Sequence, residues 1–449
     1  MGFGRKAFDY AEKAAGLCVR NDRIDSGEYE RRNVQRGLRD INGNGVPAGL
    51  TNISSITASR ISEDGSRIPA EGKLYYRGYD IEDLVGRYGS DRFGYEKIAY
   101  LLMFGQVPDD GQAREFIKQL SDLRHLPKNF MRDVIMKAPD RDIMNSMTRS
   151  ILTLASYDRN ALSIDLPDVI RQCMMLISVF PMLAVYGYQA YNHYDNRGSM
   201  YIHRPDSGLS AAENTLRMLR PDRSFTPLEA SVLNMAFILH MEHGGGNNST
   251  FTTRVVTSAG SDTYSTVAAS MCSLKGSRHG GANLKVVDMM RDIMKHVRDF
   301  DDREEVEAYL ASILDGEAFD RQGLIYGIGH AIYSVSDPRE VIFRKFVREL
   351  AAEKGKTEQM KMYEAVENAA PGVIAGKRKM YKGVSANVDF YSGFVYDMLG
   401  IPKELFTPIF SIARIAGWSA HRLEELVSAG KIIRPAYPGV LPARKLPEA

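Results

Sequence analysis

The chain has 449 residues, enough for two or three domains and a large apolar core. Its 58 lysines and arginines against 56 aspartates and glutamates leave a net charge of +2, which excludes a global attraction to nucleic acid or an anionic membrane. Three cysteines without CxxC spacing indicate reduced thiols, and the charged N-terminus shows no secretory or transit signal. We therefore expect a cytoplasmic protein.

The first part of the chain divides into two segments of different character. Residues 1–43 are strongly charged and predict an N-terminal extension, helical or partly ordered. In the next segment, residues 50–54 and 73–76 alternate in polarity on either side of the turn-rich stretch 63–66. This pattern predicts a small β-hairpin unit. After Asp80 the periodicity is helical throughout, so the predicted fold class is mainly α.

One apolar stretch is long enough to suggest a membrane span. It runs from Gln172 to Tyr191 but contains Pro181 and Gln189, and Arg171 comes directly before it. Polar residues of this kind are costly inside a bilayer, whereas a large helical core accommodates them. The stretch therefore predicts a buried core helix.

Helix starts can be recognised at three later positions. Residues 226–229 and 337–340 each offer an N-cap, a proline at the first position and a glutamate at the third. A third helix is predicted after Asn387, with Gly400 near its end. The proline-rich tail from Arg434 is predicted to be extended.

Three short motifs contain residues suited to carbon–carbon bond chemistry at a carbonyl. They supply His279, His330 and Asp389, each flanked by small or turn-forming residues. Abstraction of a proton next to a carbonyl needs a base and a donor for the developing oxyanion. Two imidazoles and one carboxylate provide both functions without a metal.

Each of these residues also has a structural interpretation. His279 precedes a helix, where the positive end of the dipole favours the neutral imidazole, but it could simply cap that helix. His330 follows Gly-Ile-Gly and could be a structural loop histidine. Asp389 could be an N-cap, and in either role we expect the helix N-terminus to keep it ionised.

Arginines complete the candidate site. Arg414 lies on an otherwise apolar helix and needs an anionic partner if it is buried, and Arg339 lies in the first turn of another helix. Guanidinium groups bind carboxylates in bidentate fashion, which suits a di- or tricarboxylate, although ordinary salt bridges are the alternative. The spacing of His240, Glu242 and His243 resembles that of metal ligands, but HExxH is absent and we predict no metal site.

Taken in order, these segments resemble the citrate synthase family from about Gly72 to Pro435. The most specific motifs are Phe237-Ile238-Leu239-His240 through Ser249, His279-Gly280-Gly281-Ala282-Asn283, Asp337-Pro338-Arg339 and Asn387-Val388-Asp389. The resemblance implies a two-domain helical fold in which a mobile, coenzyme A-binding small domain (284–388) interrupts a large domain (44–283 and 389–449).

The resemblance also implies roles for individual residues. His279, His330 and Asp389 would form the catalytic triad. Oxaloacetate or citrate would bind His243, Asn247, Arg339, Arg414 and Arg434, with Arg434 contributed by the other subunit of a homodimer and Ser249 bordering the pocket. Coenzyme A would contact the loop with Gly327 and Gly329 and the neighbouring Asn387; Arg278 is added to these contacts as a hypothesis of our own. Coenzyme A thioester is then a co-substrate, no cofactor is permanently bound, and neither nucleic acid nor a membrane is a partner.

The activity implied by the resemblance is that of citrate synthase. Asp389 would remove a methyl proton from acetyl-CoA while His279 donates to the thioester oxygen, and His330 would polarise the ketone of oxaloacetate. Hydrolysis of citryl-CoA would give citrate and coenzyme A. The alternatives are a 2-methylcitrate synthase that uses propionyl-CoA, a non-catalytic relative that binds dicarboxylate or coenzyme A, and a metallohydrolase.

Two departures from the family pattern affect these expectations. The chain has Glu242-His243-Gly244 where the family often has Asp-His-Glu, so the surroundings of His243 are expected to differ. Residues 334–336 (Ser-Val-Ser) lack the basic residue that meets coenzyme A phosphates in many members. Lys275, Arg278 or Arg344 are the candidates to replace it.

Overall fold

The computed structural model describes residues 5–40, 45–62, 67–329, 332–378, 383–428 and 430–446. The strands are β1 (Ser54–Ile61), β2 (Arg67–Tyr76) and β3 (Tyr79–Asp80). The α-helices are α1 (Arg5–Asn21), α2 (Ser26–Arg31), α3 (Ile81–Tyr88), α4 (Gly94–Phe104), α5 (Asp110–Asp122), α6 (Ile143–Leu154), α7 (Leu166–Tyr194), α8 (Ala211–Leu219), α9 (Pro227–His240), α10 (Asn248–Ser258), α11 (Thr263–Leu274), α12 (Ala282–His296), α13 (Arg303–Leu314), α14 (Pro338–Glu353), α15 (Thr357–Lys377), α16 (Val388–Met398) and α17 (Phe406–Ser428). Shorter helical turns lie at Arg36–Leu38, Met131–Ile135, Ala155–Tyr157 and Lys403–Leu405.

The predicted mainly α class is confirmed, and so is the small hairpin unit. β1 and β2 pair in antiparallel register from Ser54 opposite Tyr76 to Ile61 opposite Arg67, and β3 adds to the free edge of β2. The first strand begins at Ser54 rather than at residue 50, so the predicted boundary is wrong by four residues. The predicted turn at 63–66 lies outside the described residues.

The chain forms two compact units, residues 1–48 with 434–449 and residues 49–433. In the first unit, α1 and α2 have no buried residue, and the predicted extension at residues 1–43 stays a prediction. Arg32 donates from Nη1 to the carbonyl of Gly439 across 3.4 Å. The tail has no regular structure over residues 434–446, as its prolines predicted.

The core of the second unit is built around α17 and α7. Every residue of α17 from Phe406 to Leu423 is buried, and the helix packs against α4, α7, α9, α10 and α11. By length and composition alone, α7 could cross a membrane, but 78% of its most apolar window is buried inside the protein. The prediction of a buried core helix at 172–191 is therefore confirmed.

The helices from α12 to α16 pack on one another and on α9. α12 and α14 both contact α16, α13 and α14 contact α15, and α14 and α16 each contact α9. The expected small domain, 284–388, covers α13 to α15 and nearly all of α12, and its boundaries stay a prediction.

The three predicted helix starts are confirmed, and each places a site residue. Thr226 and Glu229 form a reciprocal capping box at the start of α9. Asp337 and Asn387 cap α14 and α16 by accepting backbone N–H bonds. The far end of α9 leads into the loop that contains His243, while the first turns of α14 and α16 carry candidate charged residues.

Candidate active site

Arg414 is a fully buried cation with unused hydrogen-bonding capacity. It is 1% exposed on α17, and its Nε donates to the backbone carbonyl of His240 across 2.6 Å. Its Nη1 has no hydrogen-bond partner in the described part of the chain. Burial lowers the pKa of Arg414 to about 10, with Glu242 opposing this shift and Arg339 adding to it. Such a guanidinium needs an anion, as the sequence predicted.

Arg339 already has one carboxylate partner. The side chain, 4% exposed, is gripped by Asp337 through Nε–Oδ1 and Nη2–Oδ2 contacts of 3.0 and 2.7 Å. Burial disfavours the charge, but the attraction of Asp337 raises the pKa of Arg339 above its ordinary value. One edge of the guanidinium therefore forms an ordinary salt bridge, which was the alternative to substrate binding. Its Nη1 makes no hydrogen bond with any described residue and can take a second acceptor.

Asp389 is the second residue of α16 and not its cap. Asn387 caps the helix and accepts the Asp389 N–H across 3.0 Å, so the N-cap interpretation of Asp389 is wrong. Burial raises the pKa of Asp389 to about 6, and Arg339 and Arg414 offset this only in part. Burial therefore outweighs the expected effect of the helix N-terminus. The carboxylate is a stronger base than an ordinary aspartate and is still ionised above pH 6.

His279 is held by a serine rather than by its own helix. Its Nε2 lies 3.1 Å from the Oγ of Ser249, which also accepts from the indole of Trp418 across 3.2 Å. Gly281 is the N-cap of α12 and no side chain caps that helix, so the capping alternative is wrong. Burial and the positive charge of Arg414 lower the pKa of His279 to about 4. The expected neutral imidazole agrees with this value.

The hydrogen-bond partners of Ser249 determine which tautomer His279 adopts. A serine hydroxyl has one hydrogen, and Trp418 can only donate. If Ser249 donates to the side-chain oxygen of Asn247, 3.0 Å away, His279 must carry its hydrogen on Nε2. If the Asn247 amide presents its NH₂ group instead, Ser249 can donate to Nε2, and Nδ1 then carries the hydrogen. Only the second arrangement gives a donor on the ring edge away from Ser249.

His243 lies in the loop after α9 and is buried. Its Nε2 is 3.3 Å from the hydroxyl of Tyr333, and the two rings meet edge to face with centroids 5.5 Å apart. Arg339 stands over the Tyr333 ring at 6.0 Å. The contact places His243 close to the predicted arginine. Its role in binding oxaloacetate stays a prediction.

The expected coenzyme A loop is tied to the start of α16. Asn387 donates from its backbone to the carbonyl of Gly327 across 2.9 Å and from its side chain to that of Gly329 across 2.8 Å. Gly327 has φ 78°, and a Cβ there would lie 2.8 Å from Val286 and 2.9 Å from Phe390, so only glycine fits. The loop is therefore fixed beside Asp389.

The three basic residues proposed to meet coenzyme A phosphates differ in availability. Lys275 pairs with Asp142 across 2.6 Å, and Arg344 pairs with Glu367 across 2.9 Å. Arg278 is exposed and makes no hydrogen bond or ion pair with any residue that the structure describes. Of the three, Arg278 is the one free to meet a phosphate.

Two predicted residues cannot be placed at this site. His330 lies outside the described residues. Arg434 belongs to the first unit, in the extended C-terminal segment.

The side chains of the His240-Met241-Glu242-His243 segment make contacts of other kinds. In the ranges that the structure covers, no group of three or more histidine, cysteine, aspartate or glutamate side chains is arranged to hold a metal. The nitrogens of His240 have no hydrogen-bond partner among these residues, and its ring stacks on Phe410 at 4.6 Å. The carboxylate of Glu242 pairs with His421.

Comparison with known proteins decides the family. A family model described as citrate synthase, C-terminal domain, matches residues 41–436. The protein belongs to the citrate synthase family. It is a transferase of the citrate synthase type, as the resemblance implied.

Relatives within the citrate synthase family carry two different names. A citrate synthase of Synechocystis sp. is 34% identical over 397 residues, which are 87% of this chain and 88% of the relative. 2-Methylcitrate synthase 2 of Corynebacterium glutamicum is 31% identical over 406 residues, 90% and 93% of the two chains. Sequence identity is therefore similar to relatives of both names.

Solved structures have the same fold. Citrate synthase from Pyrobaculum aerophilum superimposes with a TM-score of 0.72 at 28% identity, covering 92% of this chain and 94% of the other. Citrate synthase from Thermoplasma acidophilum, in ternary complex with carboxymethyl coenzyme A and oxaloacetate, gives 0.73 at 24% identity, covering 92% and 98%. At that identity the second likeness shows the fold alone.

Sequence patterns missed several residues that contact the predicted site residues. Trp418 contacts Ser249, Tyr333 contacts His243, and Asp337 grips Arg339. Asp337 was recognisable only as a cap, a role that it also fills. Trp418 is the only tryptophan of the chain and lies four residues after Arg414, on the same helix face, which was the available signal.

Proposed function

We propose that the protein is a citrate synthase, which condenses acetyl-CoA with oxaloacetate and hydrolyses citryl-CoA to citrate and coenzyme A. The observation that carries the proposal is the buried Arg414, whose Nη1 has no partner among the described residues and whose charge acts on the pKa of both Asp389 and His279. An anion at this guanidinium would lie beside one base and one neutral imidazole. Formation of an enolate and its attack on an anionic keto acid require this combination.

Asp389 would act as the base in the enolisation step. A methyl group next to a thioester is far less acidic than a carboxylic acid, so the carboxylate needs a stabilised product. His279, neutral over the physiological range, would donate to the thioester oxygen as charge develops there. One preorganised donor of this kind lowers the activation barrier by roughly 3–4 kcal/mol. The raised pKa of Asp389 adds basicity while keeping it ionised near neutral pH.

Oxaloacetate would bind through its carboxylates to Arg414 and to the free edge of Arg339. His243 and Asn247 would border the same pocket, and His330 would polarise the ketone. Arg434 would reach the substrate from the other subunit of a homodimer. These roles rest on the family motifs together with the burial of the two arginines.

Coenzyme A would lie along the loop that contains Gly327 and Gly329, with Asn387 fixing that loop and Arg278 meeting a phosphate. The acyl group would then reach Asp389, two residues after Asn387. Movement of the small domain, 284–388, would close the site and exclude water during enolisation. We place the reaction in the cytoplasm, with no permanently bound cofactor and no nucleic-acid or membrane partner.

The second candidate is a 2-methylcitrate synthase that uses propionyl-CoA. It is favoured by relatives of that name at 31% identity over 84 to 91% of this chain. A pocket distinguishes one methylene by only about 1–3 kcal/mol, so few residues decide between the two substrates.

A thiol-release assay tests the proposal. Oxaloacetate is supplied with acetyl-CoA or propionyl-CoA, and the specificity constants are compared before and after exhaustive chelation. We expect release that depends on oxaloacetate, favours acetyl-CoA, survives chelation and is lost in Asp389→Ala. A higher constant for propionyl-CoA would establish the second candidate. No release with either acyl-CoA would indicate a binding relative, and loss on chelation would indicate a metalloenzyme.

A further inference from the structure

A buried network connects the loop that carries His243 to α10 and α17. Its members, Glu242, His421 and Arg254, are called the Glu242 network below. Glu242 and His421 are both 0% exposed, and the Nε2 of His421 lies 2.9 Å from the Oε1 of Glu242. Arg254 reaches the other ring nitrogen of His421, Nδ1, with Nε at 3.1 Å and Nη2 at 2.7 Å.

The direction of the hydrogen bonds in this network follows from Arg254. A guanidinium only donates, so the Nδ1 of His421 accepts and its Nε2 must carry the hydrogen that goes to Glu242. Arg254 is itself held by Glu424 and by Glu425, the latter across 2.9 Å. The carboxylate of Glu242 therefore faces a donor whose tautomer is set from its far side.

The same carboxylate oxygen also fixes the backbone next to His243. The Oε1 of Glu242 accepts from the N–H of Gly244 across 2.6 Å and from the hydroxyl of Ser54 across 2.8 Å. The hydroxyl of Tyr76 lies 3.0 and 3.1 Å from the carbonyls of Glu242 and Ile238, which share its single hydrogen. Both neighbours of His243 are thus held in place. Three consecutive glycines follow it and would otherwise leave this backbone free to move.

One face of helix α17 contacts both the Glu242 network and other residues of the candidate site. Arg414, Trp418 and His421 lie at spacings of four and three residues and share one helix face. They contact the His240 carbonyl, Ser249 and Glu242 respectively. A Cβ at Gly417 would lie 2.2 Å from the carbonyl of Met241 and 2.6 Å from the Oε2 of Glu242, so this close approach requires glycine.

We propose that Glu242 is a positioning residue for oxaloacetate binding, acting through Gly244 on His243, and that His421 and Arg254 orient its carboxylate. This role rests on the proposed function, because it concerns the same pocket. Hydrogen bonds from His421 and Ser54 and the positive charge of Arg414 overcome the effect of burial and hold the pKa of Glu242 below its ordinary value. The carboxylate therefore keeps its charge over the working range of pH. This chain has Glu242-His243-Gly244 where the family often has Asp-His-Glu, and the Glu242 network shows which contacts the glutamate before His243 makes.

Glu242→Gln tests this role because it keeps the shape but removes the charge that three donors share. We expect the KM for oxaloacetate to rise about tenfold while the KM for the acyl-CoA and kcat change less than about threefold. The matched control is Glu229→Gln. Glu229 is another buried glutamate with a lowered pKa, roughly 20 Å away at the other end of α9, and it pairs with Arg220. This variant should lower Tm without changing either KM.

A second pair of variants decides the matter if Glu242→Gln does not fold. His421→Leu removes both ring contacts, whereas His421→Gln can accept from Arg254 and donate to Glu242 through one amide. The Leu variant should show the raised KM for oxaloacetate, and the Gln variant should recover most of the loss. An unchanged KM for oxaloacetate in folded Glu242→Gln, or equal values in the two His421 variants, would overturn the proposal and leave the network a purely structural one.

Failure of the proposed function would be seen separately, in the wild-type protein. A wild type that turns over neither acyl-CoA refutes citrate or 2-methylcitrate synthesis whatever the variants do. The positioning role of Glu242 is then tested by the rise in Tm that oxaloacetate produces. That rise should be smaller in Glu242→Gln than in the wild type and in Glu229→Gln, and an equal rise in all three would refute the positioning role.

Discussion

Replacing Asn247 by aspartate changes the hydrogen-bonding possibilities of Ser249 without changing the shape of the site. The amide of Asn247 can present either its oxygen or its NH₂ group to the Ser249 hydroxyl, 3.0 Å away. A carboxylate can only accept, so Ser249 would have to donate to Asp at position 247. His279 would then keep its hydrogen on Nε2 and present a bare Nδ1 to the substrate. The thioester oxygen would lose its donor.

The magnitude follows from what such a donor contributes. Loss of one preorganised oxyanion donor costs about 2.7–4 kcal/mol, or about 10²–10³ in kcat. The pKa of His279, about 4, leaves the ring neutral at pH 8 even if the new carboxylate raises it by two units. Asn247 is the N-cap residue of α10 but its side chain makes no capping hydrogen bond that could be lost, and Asp is as favourable as Asn at this position, so Tm should fall little.

The measurement is kcat at pH 8 with saturating oxaloacetate and acetyl-CoA, beside Asn248→Asp as a matched control. Asn248 is the next residue, is exposed, and accepts from Ser273 across 2.6 Å, which a carboxylate can still do. It adds the same charge to the same helix end without touching Ser249. A kcat for Asn247→Asp within threefold of that control would refute the reasoning on the tautomer of His279.

Three further predictions concern single side chains. Because the pKa of Asp389 is about 6 instead of 3.8, kcat/KM should fall about tenfold per pH unit below pH 6. For the same reason, the inactive variant Asp389→Asn should be about 3 kcal/mol more stable than the wild type above pH 6 and equally stable below pH 3.8, as measured by denaturant unfolding. Equal stability of the two proteins at pH 8 would contradict the raised pKa. Arg414→Lys, which loses the second N–H group, should raise the KM for oxaloacetate about 30-fold and leave that for acetyl-CoA unchanged in steady-state kinetics; an equal rise in both would argue against a carboxylate partner. Arg278→Ala should raise the KM for acetyl-CoA about fivefold, whereas Lys275→Ala, already paired with Asp142, should not; identical effects would remove Arg278 from the phosphate contacts.

Local features of the fold were predictable because they depend on residues within one turn of each other. The caps at Thr226, Asp337 and Asn387 each satisfy an N–H two or three residues away, so a short stretch of sequence suffices to recognise them. The apolar run at 172–191 likewise identified a core helix. The start of β1 was missed because pairing with β2, and not the alternation of residues 50–54, decides where the strand begins.

For the site, the sequence alone determined which residue types are present and in what order, and an arginine on an apolar helix was already a sign of an anion site. Tertiary structure decided what state those residues are in. The pKa of Asp389 is high because distant segments bury it, and Glu242 is paired because folding brings His421 to it from 179 positions along the chain. Burial and long-range contacts set protonation and orientation, and neither can be read from neighbouring residues.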